Sequence, residues 1–277
     1  MENKILEINN LKVIPNNNYR LKLVDDITLN LNKGKTTCIV GESGSGKSLT
    51  ALSVMQLLSS QLTMSGNIFF EGINLPNLSK DEMRKKRGKD IAMIFQEPMT
   101  SLNPVLTIGY QIQEAIQVHQ KISNVDLSNR VQELLKIVGI PSSRSESYPD
   151  ELSGGQRQRV MIAMAISSSP KLLIADEPTT ALDVTVQAQI LNLLNDLKLK
   201  FQMTMLFITH DFGVVEDIAD DVAVMYQGKI VEKGSVENVL NRPKHPYTKA
   251  LLDCVPDSQG KKALKPIDYN ILKKLMG

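Results

Sequence analysis

The sequence predicts an α/β fold with a mixed sheet at its core, an antiparallel β part and an inserted helical part. Short, continuous apolar runs are typical of strands buried on both faces, as in a parallel sheet covered by helices. These runs are residues 37–40, 91–95, 172–175 and 205–208. Alternating apolar and polar residues predict half-exposed antiparallel strands, at residues 5–13, 21–31 and 66–72. A helical period dominates the chain between residues 100 and 166, which predicts the insertion.

Two helices are predicted from the spacing of apolar residues. Residues 49–58, after the strand at 37–40, form a helix-compatible run. Within the insertion, positions i, i+3, i+4 and i+7 carry Val131, Leu134, Leu135 and Val138, and Gly139 provides a stop. The sequence therefore predicts that the strand at 37–40 leads directly into a helix and that the insertion is helical.

The remaining elements follow in the second half of the chain. Apolar residues at helical spacing predict a crossover helix before a strand that ends at His210; they are Ile190, Leu193, Leu194 and Leu197. Residues 221–231 predict a hairpin that turns at Gln227 and Gly228. From residue 241 onward the chain is rich in Pro, Lys and polar residues, which predicts a peripheral extension. We therefore expect a core at residues 1–100 and 167–240, a helical subdomain at 101–166 and a short C-terminal extension at 241–277.

Composition excludes some function classes. The 32 basic and 30 acidic residues leave a formal charge of +2, so there is no basic field of the kind that drives non-specific nucleic-acid binding. Cys38 and Cys254 lie far apart, and Cys38 falls in an apolar run, where a buried thiol behaves as a small hydrophobe. No segment has the roughly 18–20 apolar residues that cross a bilayer. We expect a soluble chain in a reducing compartment that can still dock on a membrane protein.

A phosphate-binding loop is predicted at residues 41–48, where GESGSGKS fits G-x-x-x-x-G-K-[ST] between a strand and a helix. Glycines let backbone N–H groups converge on phosphate oxygens, and the next helix offers its positive N-terminal end. Lys47 is expected to pair with the β- and γ-phosphates and the Ser48 hydroxyl to bind Mg²⁺. The alternative is a chance glycine-rich turn. The candidate nucleotide-binding residues are Gly41, Ser43, Gly44, Ser45, Gly46, Lys47, Ser48 and Leu49.

Two carboxylates follow the apolar strand at residues 172–175. This is the ligand-binding edge of α/β sheets, and Asp176 suits a Mg²⁺ shell there. Glu177 is then the candidate base that polarises or deprotonates the attacking water. The alternative, a solvated acidic pair at the end of a strand, is less favoured because the same chain carries the phosphate loop.

The run LSGGQRQR at residues 152–159 predicts a second anion-binding turn. Ser153 is a suitable N-cap for a helix-compatible stretch at residues 156–166. A serine hydroxyl and glycine N–H groups at a helix start form an anion cradle. For a generic Ser-Gly-Gly, an ordinary capped helix would be the alternative.

The full LSGGQRQR string resembles the signature of the ATP-binding-cassette (ABC) ATPases, and the resemblance covers residues from about 4 to 240. It implies the P-loop NTPase fold of that family, with ATP and Mg²⁺ as ligands. Gln96 resembles the Q-loop glutamine that senses Mg²⁺ and water, and His210 resembles the switch histidine that contacts the γ-phosphate. Ala181, Leu182 and Asp183 look like the D-loop. Tyr19 is the candidate for stacking on adenine, and a surface tyrosine is the alternative.

The resemblance also implies that the phosphate loop of one subunit faces the signature of another, so that ATP is sandwiched between them. The signature is then expected to contact the ATP of a second ATPase subunit, which is either a paralogue or an identical chain. The expected contacts come from Ser153, Gly154, Gly155 and Gln156.

Two stretches resemble the peptide and nickel importers within this family: FQEPMTSLNP at residues 95–104 and NRPKHPYT at 241–248. They predict an ATPase subunit that powers import of oligopeptides or dipeptides, with a nickel or metal-chelate importer as the alternative. The expected partners are two transmembrane permeases and, indirectly, an extracytoplasmic substrate-binding protein, with no nucleic acid. The expected location is the cytoplasmic face of the cell membrane.

Other members of the family define the remaining alternatives. Some longer ones carry a C-terminal iron–sulfur segment, but Cys254 is the only cysteine of this tail, so no such cluster is expected. A soluble ABC ATPase acting on DNA or ribosomes is less favoured because such proteins usually have tandem cassettes or long coiled-coil insertions. An export subunit is less favoured because of the importer-like stretches.

Overall fold

The computed structural model describes residues 4–96, 101–180 and 182–254, which divide into two compact units. The first unit comprises Met1–Pro76 and Phe207–Gly277, and the second comprises Asn77–Leu206. The domain boundaries predicted from the sequence, at residues 100, 166 and 240, remain predictions. Among the described residues, no helix is long and apolar enough to span a membrane.

The first unit contains a four-stranded antiparallel sheet in the order β2-β1-β4-β5. Its strands are β1 (Lys4–Pro15), β2 (Val24–Asn32), β4 (Leu62–Phe70) and β5 (Ile73–Asn74). Along β2 buried and exposed side chains alternate, with Ile27, Leu29 and Leu31 inside. This alternation confirms the predicted half-exposed strands, although β2 begins at Val24 rather than at residue 21.

The same unit contains a mixed set of strands that leads into the phosphate loop. β3 (Thr36–Val40) is buried throughout and pairs in parallel with β9 (Asp221–Tyr226), which pairs antiparallel with β10 (Lys229–Ser235). Burial raises the pKa of the Cys38 thiol in β3, so this cysteine stays protonated and packs as a small hydrophobe. α1 (Lys47–Val54) begins at the end of the phosphate loop.

The predicted hairpin is confirmed. Gln227 and Gly228 separate β9 from β10, and their φ angles of 45° and 80° are those of a type I′ turn. Glycine or a residue that tolerates the left-handed region is required at both positions, and this turn matches the right-handed twist of the flanking strands. The local sequence therefore determined the position of the turn.

The segment after β10, which includes the start of the predicted C-terminal extension, contains helices. It forms α8 (Val236–Asn241) and α9 (Pro246–Asp253), preceded in this unit by the short helix α7 (Val215–Ile218). Tyr247, Thr248 and Leu251 of α9 are buried, and the Tyr247 side chain is 0% exposed. One face of α9 therefore packs into the interior of the first unit. The basic residues from 261 to 277 lie outside the described part of the chain.

The second unit combines parallel strands with helices. β6 (Ile91–Ile94) pairs in parallel with β7 (Leu172–Asp176), and both are largely buried, as predicted. β8 (Thr204–Thr209) crosses the boundary between the units and ends one residue before His210. The helices are α2 (Lys80–Lys86), α3 (Ile108–Gln117), α4 (Asn124–Ile137), α5 (Gly154–Ala165) and α6 (Val184–Phe201).

These helices confirm the predicted helical spacing, although Leu193 is half-buried rather than buried. Val131, Leu134 and Leu135 are buried on one face of α4, and Gly139 follows its C-terminus with φ of 75°. In α6 the buried residues are Ile190, Leu191, Leu194 and Leu197. The region predicted to be a helical insertion therefore contains α3, α4 and α5.

Candidate active site

The phosphate loop, residues 41–48, connects β3 to α1 in the first unit. Gly46 has φ of 103°, and a Cβ there would lie 2.6 Å from the carbonyl oxygen of Leu23. A Cβ at Gly41 would overlap the carbonyl oxygen of Met225 in β9. Glycine is therefore required at these two positions by the backbone that surrounds the loop.

The loop encloses a buried cation and a buried hydroxyl. The Lys47 side chain is 4% exposed, and its ammonium donates hydrogen bonds to the carbonyl oxygens of Gly41 at 2.7 Å and Glu42 at 2.9 Å. The Ser45 hydroxyl is also buried, and it has no hydrogen-bond partner among the described residues. An orphaned hydroxyl beside a buried ammonium at the start of a helix is the arrangement that phosphate oxygens satisfy. The residues of the loop therefore fit a nucleoside triphosphate.

The other predicted loop residues are more exposed than Lys47 and Ser45. Ser43 and Gly44 are exposed, whereas Ser48 and Leu49 in the first turn of α1 are half-buried. The backbone of the loop is tied to the β9–β10 turn, because the Gly228 N–H donates to the Ser45 carbonyl at 3.0 Å.

In the second unit, the structure brings the predicted base together with the predicted Q-loop residue. Asp176 ends β7, and Glu177 follows it with only 8% of its surface exposed. The Gln96 amide donates to a carboxylate oxygen of Glu177 at 3.1 Å. The Thr180 hydroxyl donates to the same oxygen at 2.9 Å. Two donors therefore orient the Glu177 carboxylate.

The backbone at Glu177 is strained. Its φ of 48° lies in the left-handed region, which costs a non-glycine residue of order 1–3 kcal/mol. A turn follows at once, with the Thr180 N–H donating to the Glu177 carbonyl at 3.2 Å. The strain and the turn together direct this side chain away from the strand register and towards Gln96 and Thr180.

Thr180 is a site residue that the sequence analysis missed. A local signal was present, because Pro178 occupies the second position of the turn, where its fixed φ is favoured. Such a turn returns the fourth residue to the first, so a hydroxyl three residues after Glu177 can reach its carboxylate.

The signature also lies in the second unit, and its predicted helix start is confirmed. Ser153 is the N-cap of α5, its hydroxyl accepts the Gln156 N–H at 3.3 Å, and the Gln156 side chain accepts the Ser153 N–H at 3.0 Å. This reciprocal pair is a capping box. A Cβ at Gly155 would lie 2.6 Å from the Val186 side chain in α6, whereas one at Gly154 would meet only Leu182, at 3.6 Å.

The remaining predicted residues occupy separate positions. His210 is exposed immediately after β8, and Tyr19 is 73% exposed in the loop between β1 and β2. Asp183 caps α6 by accepting the Val186 N–H at 2.9 Å. The Q-loop continuation at residues 97–100 and the D-loop residue Ala181 lie outside the described residues.

Comparison with known proteins identifies the family. Residues 24–180 match the family described as ABC transporter, and residues 231–273 match the oligopeptide/dipeptide transporter C-terminal region. Two relatives come from Bacillus subtilis (strain 168). The oligopeptide transport ATP-binding protein OppD is 49% identical over 95% of this chain and 76% of its own length. The oligopeptide transport ATP-binding protein AppD is 50% identical over 92% of this chain and 80% of its own length.

A solved structure supports the same conclusion. The ATP-binding cassette MJ0796, in a dimeric post-hydrolysis state bound to ADP and Pi, aligns with a TM-score of 0.74. The two chains are 27% identical, and the alignment covers 83% of this chain and 98% of that one. The predicted P-loop NTPase fold of the ABC ATPases is confirmed. The chain therefore belongs to the ABC transporter family, as one of its ATP-binding and ATP-hydrolysing subunits.

Proposed function

We propose that this chain is the ATP-hydrolysing subunit of an importer for oligopeptides or dipeptides. Two findings support peptide cargo: the match of residues 231–273 to the oligopeptide/dipeptide transporter C-terminal region, and relatives that are named for oligopeptide transport. The same names favour peptides over the nickel alternative. The proposed hydrolysis rests on the Glu177 carboxylate, which accepts hydrogen bonds from Gln96 and Thr180.

ATP binding is proposed to start at the phosphate loop. The Lys47 ammonium would exchange its two carbonyl acceptors for β- and γ-phosphate oxygens, and the buried Ser45 hydroxyl would gain a partner. Tyr19 remains the proposed adenine platform because an exposed aromatic face is available for stacking. The other proposed contacts come from the loop backbone and first helical turn: Gly41, Ser43, Gly44, Gly46, Ser48 and Leu49.

Magnesium is proposed to bind through the Ser48 hydroxyl, the Asp176 carboxylate and the Gln96 amide oxygen, together with the phosphates. A single carboxylate suffices, because Mg²⁺ in nucleotide sites keeps phosphate and water ligands. Asp176 suits this role as a buried carboxylate at the carboxyl end of a parallel strand. When bound, the ion neutralises charge that develops on the phosphates.

Glu177 is proposed to accept a proton from the attacking water. Its carboxylate already receives two hydrogen bonds on one oxygen, Oε2, so its orientation is set before the substrate arrives. Gln96 and Thr180 are then positioning residues. His210 is proposed to contact the γ-phosphate from its exposed position after β8.

The signature is proposed to complete the site of a second ATPase subunit. Because Ser153, Gly154 and Gly155 form an exposed or half-buried helix start, they are accessible to phosphate oxygens from another molecule. Gln156 would keep its capping role. The other proposed partners are two transmembrane permeases and, through them, an extracytoplasmic binding protein, which gives a peripheral location on the cytoplasmic face of the membrane.

The test of hydrolysis is Glu177→Gln in the assembled transporter. The amide retains the shape of the side chain and cannot take a proton, so ATP turnover should fall by about 10²–10⁴-fold while ATP still binds. Trapping of a closed ATPase dimer is expected with it. Glu133→Gln, in an exposed ion pair of α4, is the matched control and should turn over normally. Unchanged turnover in Glu177→Gln would contradict the role of Glu177.

The test of cargo is transport itself. The full chain should co-purify with membrane permeases from detergent extracts, and the complex in vesicles should take up a labelled oligopeptide in an ATP-dependent manner. Uptake of Ni²⁺ in place of the peptide would favour the nickel alternative. Co-purification with ribosomes or DNA and no permease would overturn the importer function.

A further inference from the structure

The C-terminal segment reaches the phosphate loop through Tyr247. This residue lies in the first turn of α9 and its side chain is fully buried. Its hydroxyl oxygen accepts a hydrogen bond from the backbone N–H of Glu42 at 3.2 Å, across 205 positions of sequence. Both residues belong to the first unit. A side chain outside the nucleotide-binding motifs therefore contacts the loop that binds phosphate.

The contact involves one particular peptide group of the loop. In the peptide group between Gly41 and Glu42, the N–H donates to the Tyr247 hydroxyl. The C=O of the same group accepts a hydrogen bond from the Lys47 ammonium at 2.7 Å. Because a peptide group is planar, fixing both ends fixes the direction of the carbonyl. Lys47 depends on that carbonyl for one of its two hydrogen bonds to the loop.

Tyr247 is held rigidly by the end of β9. Its ring packs against the Tyr226 ring with centroids 4.2 Å apart and planes tilted by 38°. Tyr226 directly follows Met225, whose carbonyl lies against Gly41. The two tyrosines therefore pack next to the residues that surround the beginning of the phosphate loop.

The chain before α9 is anchored as well. The Glu232 carboxylate in β10 accepts the Lys244 N–H at 2.7 Å on one oxygen and the His245 N–H at 3.0 Å on the other. His245 then caps α9, because its Nδ1 accepts the Tyr247 N–H at 3.2 Å. These contacts determine where Tyr247 enters the unit.

We propose that Tyr247 is a positioning residue for nucleotide binding, which holds the Gly41–Glu42 peptide in the orientation that the triphosphate requires. Without its hydroxyl the Glu42 N–H loses an acceptor, and the peptide can rotate and displace Lys47. The C-terminal segment thereby contributes to ATP affinity although it supplies no ligand to ATP. This proposal rests on the proposed function of the phosphate loop.

The test compares two matched variants of the full chain by equilibrium titration with a fluorescent ATP analogue. Tyr247→Phe removes the hydroxyl that accepts from Glu42, whereas Tyr226→Phe removes one that accepts from the Gln227 side chain at 3.1 Å. Both keep the ring pair. Tyr247→Phe should weaken ATP binding by about 3- to 10-fold, the effect of one net hydrogen bond. Tyr226→Phe should stay within about twofold of the unsubstituted chain.

Thermal unfolding separates positioning from simple stability. The two variants should have similar Tm values without nucleotide, but the rise in Tm on adding ATP should be smaller for Tyr247→Phe, because that rise reports affinity. Equal affinity in the two variants, or an equal loss in both, would overturn the proposal. Equal affinity would mean that the Tyr247 hydroxyl does not affect ATP binding. An equal loss in both variants would mean that the effect comes from packing of the two rings.

A third variant distinguishes a failure of the role proposed for Tyr247 from a failure of the phosphate loop as the nucleotide site. Lys47→Ala should abolish measurable binding of the analogue. If Lys47→Ala bound ATP normally, the phosphate loop would not be the nucleotide site. If Lys47→Ala lost binding while Tyr247→Phe kept it, only the role of Tyr247 would be overturned.

Discussion

The phosphate loop and the signature are both glycine-rich turns at a helix start, yet they are built in opposite ways. In the loop, Lys47 and Ser45 are buried, and the Ser45 hydroxyl finds no partner within the described part of the chain. In the signature, Ser153 is exposed and its hydroxyl and N–H are both satisfied by Gln156. The loop therefore has a buried hydroxyl with unmet hydrogen-bonding capacity, whereas the helix cap of the signature is already satisfied within the chain.

This difference indicates a division of roles. A buried, unsatisfied hydroxyl beside a buried ammonium favours phosphate binding by the isolated chain. A satisfied helix cap gains little from a phosphate until another molecule delivers one to it. We therefore expect the loop to determine ATP affinity and the signature to affect turnover in the assembled transporter.

Among the expected effects on turnover that would test this division, the largest concerns Ser153. Ser153→Ala removes the hydroxyl that would contact a partner's ATP, and turnover of the assembled transporter should fall about 10- to 100-fold, as expected for a hydrogen bond to a charged group. The control is Ser123→Ala, because Ser123 is also the N-cap of a helix, α4, and its hydroxyl accepts the Asp126 N–H at 3.2 Å.

Both variants should lose about 1 kcal/mol of unfolding free energy, which is typical for an N-cap. Only Ser153→Ala should lose turnover. An equal loss of turnover in both would mean that helix stability, rather than phosphate contact, is what Ser153 supplies.

The next effect concerns the Glu177 carboxylate. Thr180→Val removes one of its two donors, so turnover should fall about tenfold, equivalent to about 1.4 kcal/mol of activation free energy, with ATP affinity unchanged. Thr180→Ser keeps the hydroxyl and should restore most of the rate. Steady-state ATPase assays check this, and full activity of Thr180→Val would remove Thr180 from the site.

The smallest expected effect is on the free energy of unfolding and concerns Glu232, which accepts the backbone N–H groups of Lys244 and His245. Burial raises the pKa of the Glu232 carboxyl, but the neighbouring Thr248 hydroxyl and the hydrogen bonds from the N–H groups of Lys244 and His245 outweigh it, so the net pKa lies below the ordinary value of 4.5. A lowered pKa means that the carboxylate stabilises the fold above about pH 4.5 and that this contribution is lost as the pH falls further.

Glu232→Gln should therefore cost about 1 kcal/mol of unfolding free energy at pH 7, and less as the pH falls below 4.5. Urea titrations of both proteins across this range measure the difference. A difference that grows at low pH would contradict the stabilising role of the carboxylate.

Sequence patterns predicted the parts of the site that are local. The loop at residues 41–48 follows a strand and precedes a helix, and Ser153 caps α5, because both features depend on neighbouring residues and on helix or strand period. The sequence assigned Gln96 and Glu177 to the nucleotide site separately and did not predict the contact between them, which the structure shows at 3.1 Å.

Long-range contacts could not be predicted in this way. Tyr247 meets Glu42 across 205 positions, and no local pattern encodes such a pairing. The Pro- and Lys-rich composition after residue 241 predicted a peripheral segment and gave no sign of the buried face of α9. Composition does not distinguish the faces of a helix, and α9 combines the buried Tyr247, Thr248 and Leu251 with the exposed Lys249 and Asp253.

The most direct test of the division between loop and signature is an ATP titration of the isolated chain carrying either Lys47→Ala or Ser153→Ala. We predict that Lys47→Ala loses at least about 100-fold in affinity, or about 2.7 kcal/mol, and that Ser153→Ala binds within about twofold of the unsubstituted chain. A comparable loss of affinity in both variants would contradict this prediction, because the signature would then belong to the chain's own nucleotide site.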